Sequence, residues 1–590
     1  MTDALRLFDE KNVVLAPMCE APQTVIDAMH QSDRIFFDTE TTGLSPFRSE
    51  LALIQMHEPN TGTTFLGRVH ENEGLPSWFT ELFTNSRTFV GHNIAGFDLH
   101  FLALAGVPWK KAKYFDTLIG ESLVSTSGRS DVSKSLRASV RRRTGYEVDK
   151  NIEHGGWRNK TLSPDQIKYA AIDVLVLPEL YEEQMRRAEE TYQTGALAME
   201  MEVLPVFSQM SLTGLPINQE KLDAYLAEQV VKYREAERLL AAKLGHINYG
   251  SPVQLRKALN EFGINLDSTA RDVLVDQILF DPDSENSKLL NAILDWRAPH
   301  KRTEMYGSQV WQDEHIEPDG RIHARFWQVG ADTTRVSSSD PNLQQVPKDG
   351  RKVFGSVPGY KMVSVDYSQI EVRIAASIAQ DELLIKMLEE DDVHRSIAAQ
   401  VFKCHPADVT PKQRKLSKAM VFTLLFAGGY KRFYEYAHRN GSDLTMDEAG
   451  ALFKAFFEAF QGLWNIRCKA YAITKSRRLA VITLPNGARR VLAGAKFTPS
   501  TIINTMVQGS AAVGMKLGLI EAGKHGLDEY MGAVVHDEAV CCVPQEIAKD
   551  FAIELQNCLV TGMKTVVPNC AVKAEIAYDS TGELPDVWLA

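Results

Sequence analysis

Val365-Asp366-Tyr367-Ser368-Gln369-Ile370-Glu371 sets an acid into an otherwise apolar run, and Val535-His536-Asp537-Glu538 repeats the device far along the chain. A bare carboxylate on a strand bound for a core is unfavourable unless a cation or hydrogen bonds compensate it. The usual remedy is a pair of divalent metals held between two such strands, an arrangement that drives in-line transfer at phosphorus. Asp366 and Asp537 therefore read as one metal site, with substrate and direction open.

Around that pair, 590 residues predict several domains with substantial cores. No apolar run is long enough to cross a bilayer, and Met1-Thr2-Asp3-Ala4 has neither the basic nor the apolar segment of a signal peptide. A cytoplasmic protein with no membrane partner is expected. The seven cysteines are odd in number and form no CxxC pair, which fits a reduced compartment without structural zinc. A net charge of −11 argues at first against nucleic acid. For a phosphate backbone, however, the placing of basic groups matters more than their sum. Arg137, Arg141, Arg142 and Arg143 cluster, as do Lys412, Arg414, Lys415 and Lys418; alone, either run reads as a solvated face.

The first third alternates short β-rich runs with helical stretches, the pattern of an α/β domain. From about residue 191 the character turns helical. Leu222, Tyr225, Leu226, Val230, Tyr233 and Leu240 form a stripe that stops at Gly245. Ser251-Pro252-Val253-Gln254 predicts a capping box opening the next helix. This region reads as a projecting arm or as a plain helical bundle.

In Phe36-Phe37-Asp38-Thr39-Glu40 the two acids point the same way from a predicted strand. A metal between them removes their repulsion. Gly91-His92-Asn93-Ile94-Ala95-Gly96-Phe97-Asp98 offers a third acid after a β-run, and Tyr169-Ala170-Ala171-Ile172-Asp173 puts a phenol and a fourth acid on one helix face. Four acids and a phenol suit a two-metal hydrolase. The set resembles the DEDDy class of 3′-to-5′ exonucleases over roughly residues 30 to 185. The resemblance implies that Asp38, Glu40, Asp98 and Asp173 bind metal and that Tyr169 orients the attacking water. Asp98 follows Asn93 by five residues, where four is the commoner spacing.

Between the opening acids, residues 413 to 426 predict a helix ended by Gly428-Gly429. Arg414, Lys418, Phe422 and Phe426 recur every fourth residue, so one face would carry two cations followed by two rings. Cations suit a polyphosphate and rings suit a base; both phenylalanines equally suit a core. Residues 331 to 344, reading ADTTRVSSSDPNLQ, are similar to the primer–template motif of family A DNA polymerases, the bacterial DNA polymerase I group. Asp366 to Arg373, Arg414 to Phe426 and His536-Asp537-Glu538 resemble the family's motifs A, B and C, in order.

That resemblance implies an α/β, RNase H-like exonuclease domain over residues 1–190, then an α+β right-hand polymerase domain over 191–590. Its thumb would span about 200–310, its palm about 311–380 and 495–590, and its fingers about 381–494. Asp366, Asp537 and the Tyr367 carbonyl would hold two Mg²⁺ ions, replaceable by Mn²⁺, with Glu538 and Lys418 completing the catalytic group. Arg414, Lys418 and His394 would grip the triphosphate, while Phe422 and Phe426 face the nucleotide. Glu371 and Phe422 would exclude a ribose 2′-hydroxyl, and Phe422, where some members have tyrosine, would disfavour dideoxynucleotides. Arg335, Gln508 and His536 would read the minor groove, where every base pair presents acceptors, with Asn504 and Arg373 as further DNA contacts. Thr334 and Thr423 stand where the family usually has glycine, and Phe426-Ala427 replaces the commoner Tyr-Gly. The expected enzyme is a monomer acting on primer–template DNA and deoxynucleoside triphosphates. It would lack a 5′-nuclease domain and be of a compact, phage-like or organelle-like form. A single-subunit RNA polymerase is disfavoured by Glu371 and by the exonuclease acids, and those acids also speak against a non-catalytic DNA-binding subunit.

Overall fold

The computed structural model describes residues 2–589 apart from 72–73, 126–131, 149–155, 160 and 308. Near the amino terminus, six strands form one sheet: β1 (Val13–Pro17), β2 (Arg34–Thr41), β3 (Leu51–Glu58), β4 (Thr63–Arg68), β5 (Thr88–Gly91) and β6 (Lys113–Asp116). Their order is β1-β4-β3-β2-β5-β6. β2 pairs antiparallel with β3 and parallel with β5. Successive side chains leave a strand on opposite faces, so Phe37 joins one core with Leu99 and Leu102, while Phe36 joins another with Leu177 and Leu180. The covering helices are α1 (Asp98–Leu104), α2 (Thr117–Val124), α3 (Pro164–Leu175) and α4 (Leu177–Glu190).

Next comes α5 (Thr194–Thr213), which belongs to both halves of the molecule. Its Leu204 packs into the Phe37 core, while Val203, Val206 and Phe207 join the large core that runs on into the carboxy-terminal sheet. Beyond it, α6 (Gln219–Leu244), α7 (Pro252–Phe262) and α8 (Glu285–Gly307) share a small core of their own, centred on Leu240, Leu259, Ile293 and Trp296. Of the α6 stripe, Leu222, Tyr225 and Leu240 are buried, and Gly245 ends the helix at φ 75°. The capping box predicted for α7 is only half formed. Ser251 Oγ accepts from Gln254 N, but the Gln254 carboxamide accepts from Asn248 N instead of the cap residue.

The carboxy-terminal half opens with a ribbon of β7 (Arg325–Trp327) and β8 (Ser337–Ser339). Then follow β9 (Tyr360–Tyr367), α9 (Ile370–Ala379), α10 (Val393–Phe402) and α11 (Pro411–Leu424). After further helices the chain returns through α12 (Pro499–Lys524), β10 (Met531–Val535), β11 (Glu538–Pro544), α13 (Ala548–Lys564) and β12 (Ala574–Ile576). The sheet is antiparallel throughout, in the order β10-β11-β9-β12. α12 and α13 pack together, α13 also against β9.

α11 departs from its predicted span. Thr410 and Gln413 form a full capping box, with Pro411 at the first position. At the other end the helix stops at Leu424, two residues early, and Ala427 turns at φ 60°. Gly428 N then closes onto Thr423 O at 3.0 Å. A Cβ on Gly428 would lie 2.2 Å from that oxygen, so only glycine fits. Phe426 therefore lies past the helix end and packs, half buried, on the large core instead of continuing the face of Phe422.

Candidate active sites

In the amino-terminal unit, Asp38 and Glu40 project from the same side of β2, and α3 brings Asp173 to them. One carboxylate oxygen from each lies within 4.8 Å of the others. A capping box of Ser163 and Gln166, with Pro164 at the first position, fixes where α3 begins. Tyr169 hydrogen-bonds Asp173 across one helical turn. Asp98, the first residue of α1, is 2% exposed and accepts the Thr39 hydroxyl at 2.6 Å. The structure thus gathers three of the four predicted acids, with Asp98 beside them.

Burial drives every one of these acids up from its ordinary range, and repulsion adds to it. Glu40 is pushed to about 9 by burial and then by Asp38. Burial raises Asp173 to about 7, against the opposing Tyr169 hydrogen bond. Asp38 and Asp98 rise well above the carboxylate range through burial, followed by Asp173 for the first and Asp38 for the second. Crowded carboxylate oxygens that repel one another are the donor set of a hard divalent cation.

One contributor escaped the sequence reading. Buried Asp116 accepts from Leu118 N at 2.9 Å, capping α2, and also from Asn93 N at 2.9 Å and Ala95 N at 3.1 Å. It thereby pins the loop, with Asn93 at φ 65°, that delivers Asp98. The available signal was Asp116-Thr117 ahead of an apolar helical run, an N-cap pattern.

In the carboxy-terminal sheet, Met362 to Val365 are buried and Asp366 emerges exposed at the strand end. The expectation of an acid inside a core is corrected here, because Val365 and Tyr367 on either side turn into the core while Asp366 leaves the strand on the opposite face. Asp537 lies in the two-residue turn between β10 and β11, and Tyr367 N donates to its carbonyl oxygen at 3.2 Å. Lost hydration in the cleft, then Asp537 and Glu538, push Asp366 to about 7, and burial raises Asp537. The Tyr367 side chain is buried, its hydroxyl donating to Leu559 O at 2.6 Å, which leaves only backbone for a cation.

Two predicted site residues face the wrong way. Glu538, expected in the catalytic group, is 7% exposed; it receives Ser364 Oγ, Trp588 Nε1 and Arg351 Nη1, the last two at 2.8 and 2.9 Å. Its carboxylate is occupied in joining β9, β11 and the end of the chain. Arg373, expected on DNA, is 3% exposed and donates to the carbonyls of Ser368, Leu388 and Ala571 at 2.7–2.9 Å. A buried guanidinium bound to three carbonyls holds segments together and cannot reach a phosphate.

On α11, Phe422 is 52% exposed, with Lys418 Nζ 6.0 Å from its ring centre. Arg414 Nε donates to Asp392 at 2.7 Å. Asp392 caps α10, which carries His394. Burial, then Lys418 and Arg414, hold the His394 pKa below its ordinary value. The three predicted phosphate-binding side chains therefore do converge. In the other basic run, three of the four cations are already engaged. Arg142 and Arg143 both bond buried Glu121, and Arg141 pairs with Glu147.

Arg335 donates to Glu371 at 2.8 Å and lines a small cavity with His536, Asp537, Ala512 and Met515. Asn504, Gln508 and Ala512 are four residues apart on α12, so both predicted DNA contacts share the face that meets this cavity. Of the departures from glycine, Thr423 is ordinary: it is helical and its hydroxyl donates to Ala419 O at 2.7 Å. Thr334 and Ala427 both sit at φ 60°, a conformation that is unfavourable by about 1–2 kcal/mol for a residue with a Cβ.

A family model described as DNA polymerase family A matches residues 219–581, more than half of the chain. The chain belongs to this family. A second model, 3′-5′ exonuclease, matches residues 16–188 of this family A polymerase. Members with both domains are metal-dependent, template-directed DNA polymerases that proofread. DNA polymerase I of Aquifex aeolicus is 29% identical over 592 residues, which cover 94% of this chain and 97% of the relative. DNA polymerase I of Pseudomonas aeruginosa is 28% identical, covering 93% of this chain and 63% of the relative, so the chain spans under two thirds of that protein. Among solved structures, the POL domain of Pol1 from M. smegmatis, in complex with DNA primer-template and dNTP, superposes with a TM-score of 0.79 at 20% identity. The match covers 96% of this chain and 98% of that one, and the shared fold is an exonuclease-type α/β domain followed by a right-hand polymerase domain.

Proposed function

We propose that Asp366 and Asp537, with the Tyr367 carbonyl, hold two Mg²⁺ ions at which a primer 3′-hydroxyl is extended, and that Asp38, Glu40 and Asp173, with Asp98 beside them, hold a second pair serving removal of mispaired ends. The carrying observation is that Asp38, Glu40 and Asp173 cluster on one sheet while Asp366, repelled by Asp537, stands at the end of another, and only the second site shares its domain with the cationic and aromatic face of α11. When bound, such ions lower the pKa of the attacking hydroxyl or water and neutralise charge on the leaving group; Mn²⁺ substitutes for them.

The side chains do the rest. Arg414, Lys418 and His394 hold the triphosphate of the incoming deoxynucleotide, and the exposed Phe422 ring takes its base. Glu371, tethered by Arg335, closes the space beneath the sugar 2′-carbon. Arg335 and His536, with Gln508 and Asn504 along α12, donate to the minor groove of the primer–template. Tyr169, held by Asp173, orients the water that attacks a terminal phosphodiester. Arg373 and Glu538 position the sheet and touch neither metal nor DNA. We assign residues 1–190 to the exonuclease, about 200–310 to the thumb, about 311–380 and 495–590 to the palm, and about 381–494 to the fingers. No helix among the described residues is long and apolar enough to cross a membrane; the working protein is a monomer in the cytoplasm of a bacterial or phage-infected cell.

Primer extension in Mg²⁺ from matched and mismatched termini tests both sites together. A matched end should be extended directly, and a mismatched end should be shortened before it is extended. Folded protein that neither lengthens nor shortens the primer would overturn the proposal.

A further inference from the structure

The turn from Ala331 to Arg335 is closed by Thr334 N donating to Ala331 O at 2.9 Å and Ala331 N donating to Arg335 O at 3.1 Å. Thr334 within it sits at φ 60°, and its hydroxyl is buried without a hydrogen-bond partner among the described residues. The next side chain is Arg335, directed to Glu371. Such a backbone state persists in a β-branched residue only where its surroundings hold it.

Beneath the turn lies a charge pair with no part in either reaction. Lys516 from α12 and Glu200 from α5 are 1% and 0% exposed, and they are bonded to each other. Lys516 Nζ also donates to Thr334 O at 3.0 Å. Gln328 secures the acid by donating to the Glu200 carboxylate at 3.1 Å and to its carbonyl at 2.9 Å. A buried ion pair is weak support for stability, because apolar residues of the same shape often serve as well. What apolar residues could not supply is the donor to the Thr334 carbonyl.

We propose that the Glu200–Lys516 pair is a positioning device for Arg335: it anchors the Thr334 carbonyl, keeps a threonine in a left-handed conformation, and so fixes the guanidinium that reads the primer–template. This rests on the reading of Arg335 as a minor-groove contact. Glycine would keep the same conformation unaided, so the device and the threonine are coupled. Relaxing the anchor lets Thr334 leave the left-handed region, which rotates the following peptide and carries Arg335 away from Glu371.

The test uses Glu200→Gln/Lys516→Met, which removes both charges together, on primers whose terminal linkages are phosphorothioates that resist excision. The KM for the next correct nucleotide at a matched terminus should rise about tenfold, with kcat changing less, as expected for a misplaced contact. Preference for matched over mismatched termini should fall towards that of Arg335→Ala, while degradation of single-stranded DNA stays at the wild-type rate. Adding Thr334→Gly should restore most of both losses, a rescue that a general packing defect would not show. Where the neutral pair does not fold, Lys516→Arg keeps the charge but shifts the donor; the same loss and the same rescue are expected, and wild-type preference there overturns the proposal. If Arg335→Ala itself leaves the preference unchanged, the reading of Arg335 falls. If Arg335→Ala lowers the preference but the paired variant does not, or Thr334→Gly restores nothing, the positioning device alone is refuted.

Discussion

Asp38, Glu40 and Asp173 hold carboxylate oxygens within 4.8 Å of one another, with Asp98 buried alongside, whereas Asp366 stands exposed at a strand end and Asp537 rides on a two-residue turn. The first group is built on β2, α1 and α3, elements locked onto one sheet, so burial and then the repulsion of Asp38 push Glu40 to about 9. The second is partly open to solvent, and its Asp366 rises to about 7, level with Asp173 and below Glu40 of the first. The donor chemistry is the same in both, and burial decides how strongly each site demands a cation. A closed, preformed site suits a reaction that receives one strand end. An open one suits a reaction that must admit a fresh triphosphate at every cycle.

The sharpest way to break this comparison is to remove one acid from each side. Asp366→Ala should lower nucleotide incorporation by about a thousandfold or more and leave degradation of single-stranded DNA, and Asp38→Ala should do the reverse. Loss of both activities from either folded variant would dissolve the division into two sites. Tyr169→Phe should slow excision by about 10–100-fold with unchanged metal affinity, as for a group that orients another. Single-turnover excision beside metal titration measures this, and an unaltered rate would leave the tyrosine merely structural. In chelator at about pH 9, where the Glu40 carboxyl begins to ionise beside the other acids, Glu40→Gln should raise thermal stability by about 2–4 °C, because a buried charge that opposes folding is gone; Asp366→Asn should gain less. Equal gains by calorimetry would mean that burial does not set the difference. The smallest effect is expected for Glu538→Gln, under about tenfold on incorporation, since the amide still accepts from Ser364 and Trp588. A loss as deep as that of Asp366→Ala would return Glu538 to the metal ligands.

Much of this contrast is legible in the residues alone. Alternation on a strand places Asp38 with Glu40, and helical spacing places Tyr169 with Asp173, because both depend only on local geometry. What local geometry cannot show is which way a charged side chain turns once sheets and helices pack. Glu538 follows a site acid and Arg373 closes a motif, yet both point inward to partners supplied from distant segments. Phe426 fits the spacing of Phe422, but the helix ends first because Ala427 and Gly428 turn the chain. Asp116 is marked locally only as a helix cap, with nothing nearby to show that it also holds the loop before Asp98, and Glu200 and Lys516 lie far apart on two mostly apolar helices. Thr334 is the intermediate case: the resemblance marks it as unusual, and only its positive φ tells why glycine is commoner there.

α5 bears on how such molecules can be recombined. A cut at residue 190 falls just ahead of a helix that neither half can surrender. A polymerase fragment starting there would present Leu204 to water, and an exonuclease fragment ending there would lose the side chain that finishes its Phe37 core. The two catalytic modules are thus welded along a shared wall, not strung on a hinge. Transplanting either into a relative requires carrying that wall along and re-facing the side left bare.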